Sequence, residues 1–190
     1  MAAPIAVPEP LPSDGAVTLR PWTEADLPEV VVCFDDWEIA RWLTPIPQPY
    51  TEANAREWFA TLEPRRATGA GAAFAIVDAA EGSLLGGIGV RSEGEARFEV
   101  GYWVRREQRG RGYATCALRL ISAWAIDALG AERLQLHADV DNLASQRVAE
   151  RAGYTREGVL RGWIEQHGER RDHVLYSLLP SEWRTQTFGS

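Results

Sequence analysis

Cysteine is nearly absent: Cys33 and Cys116 stand alone in a chain of 190 residues that also holds only three histidines. Neither belongs to a C-x-x-C pair or a histidine cluster, so a disulfide framework and a zinc site are both excluded, and no metal is expected. Long apolar runs are missing too. No stretch approaches the roughly 18 residues that a membrane-spanning helix requires, and the first residues lack the basic-then-apolar order of a secretory signal. The expectation is a cytoplasmic protein with no membrane partner. Positive charge is in deficit as well, with a formal net charge of −7. A nucleic-acid partner demands a basic stripe that displaces counterions from phosphates, so none is expected. The same surface would draw a cationic acceptor, although acidic surfaces also serve solubility alone.

What is present describes a globular chain. Hydrophobic residues make up 45% and charged residues 25%, ordinary proportions for a soluble fold, and the length suits one domain. Pro4, Pro8, Pro10 and Pro12 remove backbone donors, which predicts a mobile, poorly packed leader over residues 1–15. One domain at 16–184 and a short tail at 185–190 follow. Val17 and Leu19 alternate with Thr18 and Arg20 as a strand, and Thr23 to Asp26 resembles a capped helix start leading to about Phe34. Pro45, Pro47 and Pro49 interrupt the chain before Thr51, an N-cap for a second helix carrying Trp58, Phe59 and Leu62. Residues 72–78, 84–91 and 98–104 read as an antiparallel meander of three strands. From Gly112 to Leu129 apolar residues recur at helical spacing and Gly130 supplies a stop. A strand at 133–140, a short helix at 143–151 and two strands near 155–164 and 173–179 complete a mixed α/β order. The helix between the strands at 98 and 133 is the crossover that a parallel pair requires. No internal repeat is visible.

The chemistry centres on Arg109-Gly110-Arg111-Gly112-Tyr113-Ala114. It follows a strand and opens a helix, whose unpaired N–H groups and partial positive charge favour a phosphate. Two glycines permit close approach, and Arg105, Arg106, Arg109 and Arg111 gather positive charge in an otherwise acidic chain. A bare turn with solvated arginines is the plainer alternative. A Walker loop is excluded because no Lys-Ser or Lys-Thr follows. A dinucleotide fingerprint is excluded because Thr115 stands at the third glycine position.

The remaining pattern, R-x-x-G-x-A over Arg109, Gly112 and Ala114, resembles the acetyl-CoA pyrophosphate loop of the GNAT acetyltransferase superfamily. Glu99-Val100-Gly101-Tyr102-Trp103-Val104, Asn142-Leu143-Ala144-Ser145, Ala152-Gly153-Tyr154 and the ending Arg170 to Leu178 are similar to its RimJ/RimL branch. With Leu19 to Trp22 at the front, the resemblance covers about residues 17–183. Cys116 departs from it, since relatives often carry glutamate there. The resemblance implies the GNAT (acyl-CoA N-acyltransferase) fold, a mixed central sheet of about six or seven strands splayed at the middle and flanked by about four helices.

It also implies a function and a set of residues. The function is transfer of an acetyl group from acetyl-CoA to a primary amine by direct attack in a ternary complex. The acceptor is a small molecule such as an antibiotic, or a peptide or protein amino terminus, and the protein is a monomer or homodimer. The alternative is a degenerate acyl-CoA-binding sensor or assembly module of the same fold. Coenzyme contacts are expected from Tyr102, Trp103 and Val104 through backbone N–H groups, from Arg109, Gly110, Arg111, Gly112, Tyr113, Ala114 and Thr115 in the loop, and from Asn142 and Ser145. Glu99 is the first candidate base, or else a plain cross-strand glutamate, and Glu165 is the second, with Ile164 as the neighbouring match. Ser145 is a candidate proton donor to the departing thiolate, though N-capping alone would select Asn142 and Ser145. Trp37 and Trp42 are candidates for an acceptor lid, with core packing as the alternative. His137 is expected to be a satisfied structural histidine and Tyr154 a core residue, while His167 and His173 join no recognisable triad.

Overall fold

The computed structural model describes residues 3–43 and 46–185. Pro45 and the expected tail beyond Thr185 therefore lie outside the described residues. Seven strands form one sheet in the order β1-β2-β3-β4-β5-β7-β6: β1 Val17–Pro21, β2 Gly71–Asp78, β3 Leu84–Ser92, β4 Arg97–Val104, β5 Arg133–Asp139, β6 Thr155–Gln166 and β7 Glu169–Leu178. The helices are α1 Leu27–Asp35, the single turn α2 Trp37–Ala40, α3 Glu52–Ala67, α4 Tyr113–Leu129, α5 Leu143–Arg151 and the short α6 Pro180–Thr185.

All neighbouring strands are antiparallel except β4 and β5. That parallel pair needs a crossover, and α4 provides it. The buried stripe Ala117, Leu118, Ile121, Trp124 and Ala125 of α4 packs on Phe98 and Val100 of β4 and Leu134 and Leu136 of β5 in the main core. Gly130, left-handed at φ 65°, ends α4 and sends its N–H back to Ala125. The opposite face of the sheet holds a second, aromatic-rich cluster under α1 and α3, into which Trp103 projects. A capping box between Thr51 and Asn54 starts α3, as Thr51 predicts.

The leader touches the domain through Ile5. Ile5 is buried, its N–H donates to Arg66 O at 3.0 Å, and Arg66 Nη1 returns a bond to Ile5 O at 2.7 Å. Prolines withhold donors but leave side chains and carbonyls free, so one apolar residue and one backbone pair suffice to seat the segment.

β3 lies unusually close to β4 because it is rich in glycine. A Cβ built on Gly86 would sit 2.2 Å from Trp103 O and 3.0 Å from the Val104 Cα, contacts that only backbone movement can relieve. Gly86→Ala is expected to cost about 2 to 3 kcal/mol and lower Tm by roughly 5 to 10 °C in thermal denaturation. A Tm unchanged within about 1 °C would show that the two strands separate without penalty.

Candidate active site

β4 and β5 pair only at Arg97, Phe98 and Glu99 with Arg133, Leu134 and Gln135. Beyond them the strands part. The register of β4 with β3, and the bond from the Arg105 N–H to Leu85 O at 2.9 Å, turn alternate backbone groups of β4 towards β3. The N–H groups of Tyr102 and Val104 therefore face the gap, whereas that of Trp103 is spent on β3. Of the three expected backbone donors, two remain available, because strand alternation forbids the third.

The gap opens into a cavity of about 470 Å³ whose wall includes Gly110, Gly112, Tyr113, Ala114 and Thr115. Gly110 and Gly112 are left-handed, at φ 76° and 87°, a conformation glycine adopts without the steric cost other residues meet. Gly112 is the N-cap of α4, and no side chain caps that end. By contrast Thr51 caps α3 and Asn142 caps α5. A helix of 17 residues thus presents its first amides and the positive end of its dipole to the cavity with no carboxylate in the first turn.

The four arginines separate. Arg109 lines the cavity, and its Nη2 donates to Glu38 O at 3.0 Å, tying the loop to α2. Arg105 pairs instead with Glu29 and Glu107, turned away by the acidic residues of α1 and the intervening turn. Arg111 is exposed beside the loop. Arg147 and Arg151 of α5 line the cavity; nothing in their sequence spacing points there, because the approach of α5 to the loop is tertiary.

The Asn142 Oδ1 accepts from the Ser145 N–H at 3.1 Å, so Asn142 caps α5. The Ser145 hydroxyl takes no part in that cap and lies 2.9 Å from the Tyr102 hydroxyl. Burial pushes the Tyr102 phenol up to about 12, with the bond to Ser145 opposing the shift. The phenol therefore keeps its proton at neutral pH, and either hydroxyl can donate in the bond to Ser145. Tyr154, by contrast, is buried in the core with its hydroxyl 2.8 Å from Ser122.

Glu99 lines the cavity on the same face of β4 as Gly101 and Trp103, and Arg91 Nη2 holds its carboxylate at 2.5 Å. Trp42 also lines the cavity. Trp37 does not; it is half exposed and meets the His167 ring edge-on at 4.6 Å. Glu165 is exposed and stands opposite Arg170 in the last hairpin, while Ile164 and Gln166 line the cavity. Strand alternation turns Glu165 away from its neighbours. Gln166 Nε2 bonds Leu43 O at 2.5 Å, clasping the hairpin to the segment after α2.

The histidines hold the largest departure from expectation. His137 and His173 line the cavity, and none of their four ring nitrogens, all buried, has a hydrogen-bond partner among the described residues. Trp163 stacks on His137 at 5.1 Å and 9°. Burial lowers the pKa of both rings. Glu99, Glu93, Arg91 and Arg133 face His137, and Asp139, Arg171, Glu99 and His137 itself face His173. Alternation along β5 could have put His137 on the face of Glu99, but the pairing with β7 that adds His173 is long-range.

A depressed histidine pKa means neutral rings in the fold and protonation near pH 6.5 once unfolded. The associated stability is complete above about pH 6.5 and lost as the pH falls below it. Urea denaturation between about pH 7.5 and 5 should show stability falling with pH, and His137→Gln should flatten that slope. An equally steep slope in the variant would mean that His137 is protonated freely in the fold.

Among the described residues no group of histidine, cysteine and carboxylate side chains could hold a metal ion, and no helix is long and apolar enough to cross a membrane. A gap between parallel strands, fed by glycine-rich amides at a bare helix end, defines an acyl-CoA-dependent acyltransferase. Comparison with known proteins agrees. The acetyltransferase (GNAT) domain model matches residues 16–155. YdaF of Bacillus subtilis, provisionally named a ribosomal N-acetyltransferase, is 36% identical over 105 residues, which span 54% of this chain and 57% of that relative. A solved structure provisionally assigned as an acetyltransferase is 33% identical, with 94% of this chain and 90% of that one covered and a TM-score of 0.77. Mycobacterium smegmatis RimJ, solved with a CoA disulfide, shares the fold at 24% identity, with a TM-score of 0.81 and 93% and 87% of the two chains covered. The chain belongs to the GNAT acetyltransferase family. By class it is an N-acetyltransferase that draws on acetyl-CoA.

Proposed function

We propose that this chain acetylates the α-amine of a peptide or protein amino terminus by direct attack in a ternary complex. The observation that carries this reading is the parting of β4 and β5 into the cavity that the uncapped end of α4 also lines. The ribosomal name of YdaF favours a protein amino terminus over an antibiotic.

Acetyl-CoA supplies the acetyl group as a thioester and a pyrophosphate as an anchor. The amides from Gly110 to Thr115, with Arg109, would hold the anchor, and the α5 start at Asn142 would border the pantetheine arm. The Tyr102 and Val104 N–H groups would donate to the carbonyl oxygen as negative charge develops on it. A carbon–nitrogen bond forms and the carbon–sulfur bond breaks; one proton leaves the amine and one reaches the sulfur. An α-amine, with a reference pKa of about 7.7 to 8.0, needs far less help from a base than a lysine at about 10.4. Glu99 would take the amine proton, directly or through water held by His137, which burial keeps neutral. Ser145 would give a proton to the sulfur and draw on the Tyr102 phenol behind it. Glu165, facing away from the cavity, has no part in this scheme.

A thermal-shift titration and a thiol-release assay test it together. Acetyl-CoA should raise Tm, since a ligand bound only by the native state stabilises it. Peptides with free amino termini should then release thiol, with mass spectrometry placing the acetyl group on the α-amine. No shift would overturn the site, and a shift without release across peptides and small amines would make the chain a sensor.

A further inference from the structure

On the aromatic side of the sheet lies a second cavity, also of about 470 Å³. Leu43, Gly101, Tyr102 and Trp103 line both cavities, so the two meet where β4 leaves β5. We propose that the second cavity receives the body of the acceptor, and that the acceptor is an amine carrying a bulky apolar group, aromatic above all. This rests on the N-acetyltransferase reading and specifies its substrate class.

The walls are Trp22, Phe34, Tyr50, Trp58 and Trp103. Their rings brace one another: Trp22 on Trp58 at 5.4 Å, Trp22 on Trp103 at 6.2 Å, and Phe34 on Tyr50 and on Trp103 at 5.1 Å each. Rings locked by several neighbours cannot fold inwards to close the space, so the cavity is preformed. Its floor explains the depth. Ala73, Gly87, Gly89 and Gly101 line it from β2, β3 and β4; a Cβ on Gly101 would meet nothing within 4 Å, whereas one on Gly87 would strike the Trp22 and Trp103 rings at 2.7 Å.

Among the described residues no arginine lines this cavity, and its one carboxylate, Glu57, is exposed on α3. An aromatic box can hold a cation, but a carboxylate in water gives that cation little extra attraction. The interior therefore selects apolar surface. An amino-terminal residue with an aromatic side chain meets these conditions: an apolar body, and an amine lying over Gly101 towards the thioester.

The test uses the full chain with saturating acetyl-CoA and peptides differing only in the first residue: Gly, Leu, Phe or Trp. Phenethylamine and ethylamine form a second arm and spermidine a third. Burial of a Phe-sized side chain is worth about one to two powers of ten, so kcat/KM should rise at least about tenfold from Gly to Phe. A parallel rise from ethylamine to phenethylamine would make small aryl amines the source, and a rise confined to peptides would make it the amino terminus. Ala73→Leu should fill the cavity and bring the Phe-to-Gly ratio near one, and Thr61→Trp at the lining face of α3 should do the same if the first variant folds poorly by Tm. Turnover with equal rates for Gly and Phe, or with spermidine preferred, overturns the apolar acceptor and leaves the acetyltransferase intact. Turnover with no amine, despite an acetyl-CoA shift in Tm, overturns both.

Discussion

Gly112→Asp should abolish measurable acetyl-CoA binding at concentrations that saturate the native protein, while leaving the fold in place. Gly112 is the N-cap of α4 in the left-handed region, and a Cβ built there meets nothing within 4 Å. The fold therefore bears only the strain of a side chain at positive φ, about 1 to 2 kcal/mol. The ligand fares worse. An aspartate at an N-cap bonds the first-turn amides itself, removing the donors meant for the pyrophosphate. It also adds a negative charge, and like charges about 4 Å apart near a protein surface repel by about 4 kcal/mol. At about 1.4 kcal/mol per tenfold, affinity should fall by two to three orders of magnitude. Isothermal titration with acetyl-CoA measures this, and Gly112→Ala, which has the strain without the charge, separates the two causes. If Asp and Ala weaken binding equally, backbone conformation rather than charge governs the loop.

Ser145→Ala should lower kcat by about a hundredfold or more, the range of a lost general acid, with acetyl-CoA affinity almost unchanged. The substitution discriminates cleanly because the capping of α5 does not use the hydroxyl. Asn142 accepts from the Ser145 backbone N–H, which alanine retains, so the helix start survives. What disappears is the oxygen 2.9 Å from the Tyr102 phenol, leaving that phenol only a contact of 3.3 Å to Ser145 O. Tyr102→Phe should reduce kcat in the same direction and less, because Ser145 remains as the direct donor. A wild-type rate in Ser145→Ala would assign the proton to water.

The elements were largely visible in the order of residues. Helix α5 runs over Leu143–Arg151 as its pattern predicts, and α4 and β5 end within a residue of their expected limits. The β6–β7 hairpin was less visible: its strands run on to Gln166 and begin at Glu169, past the sequence-predicted ends, because polar residues with no local apolar period are paired there by register alone. Residue direction followed the same division. Alternation placed Glu99 with Trp103 correctly, but could not show that Trp103 donates its N–H to β3 or that Glu165 faces away from the cavity.

The loop proposed to hold the coenzyme is legible in the sequence itself, because it is a local object: two glycines at positive φ, a strand before and a helix after, all within a few consecutive residues. The uncapped helix end, which would hold an anion, is present wherever that segment folds. The cavity proposed for the acceptor was decided only by the tertiary structure. Trp22, Phe34, Tyr50, Trp58 and Trp103 come from the residue after β1, α1, the segment before α3, α3 and β4, and His137 meets His173 only through the pairing of β5 with β7. Burial of those rings, the loss of every hydrogen-bond partner for the two histidines, and the space left by glycines in β3 arise from long-range packing, which no local pattern encodes.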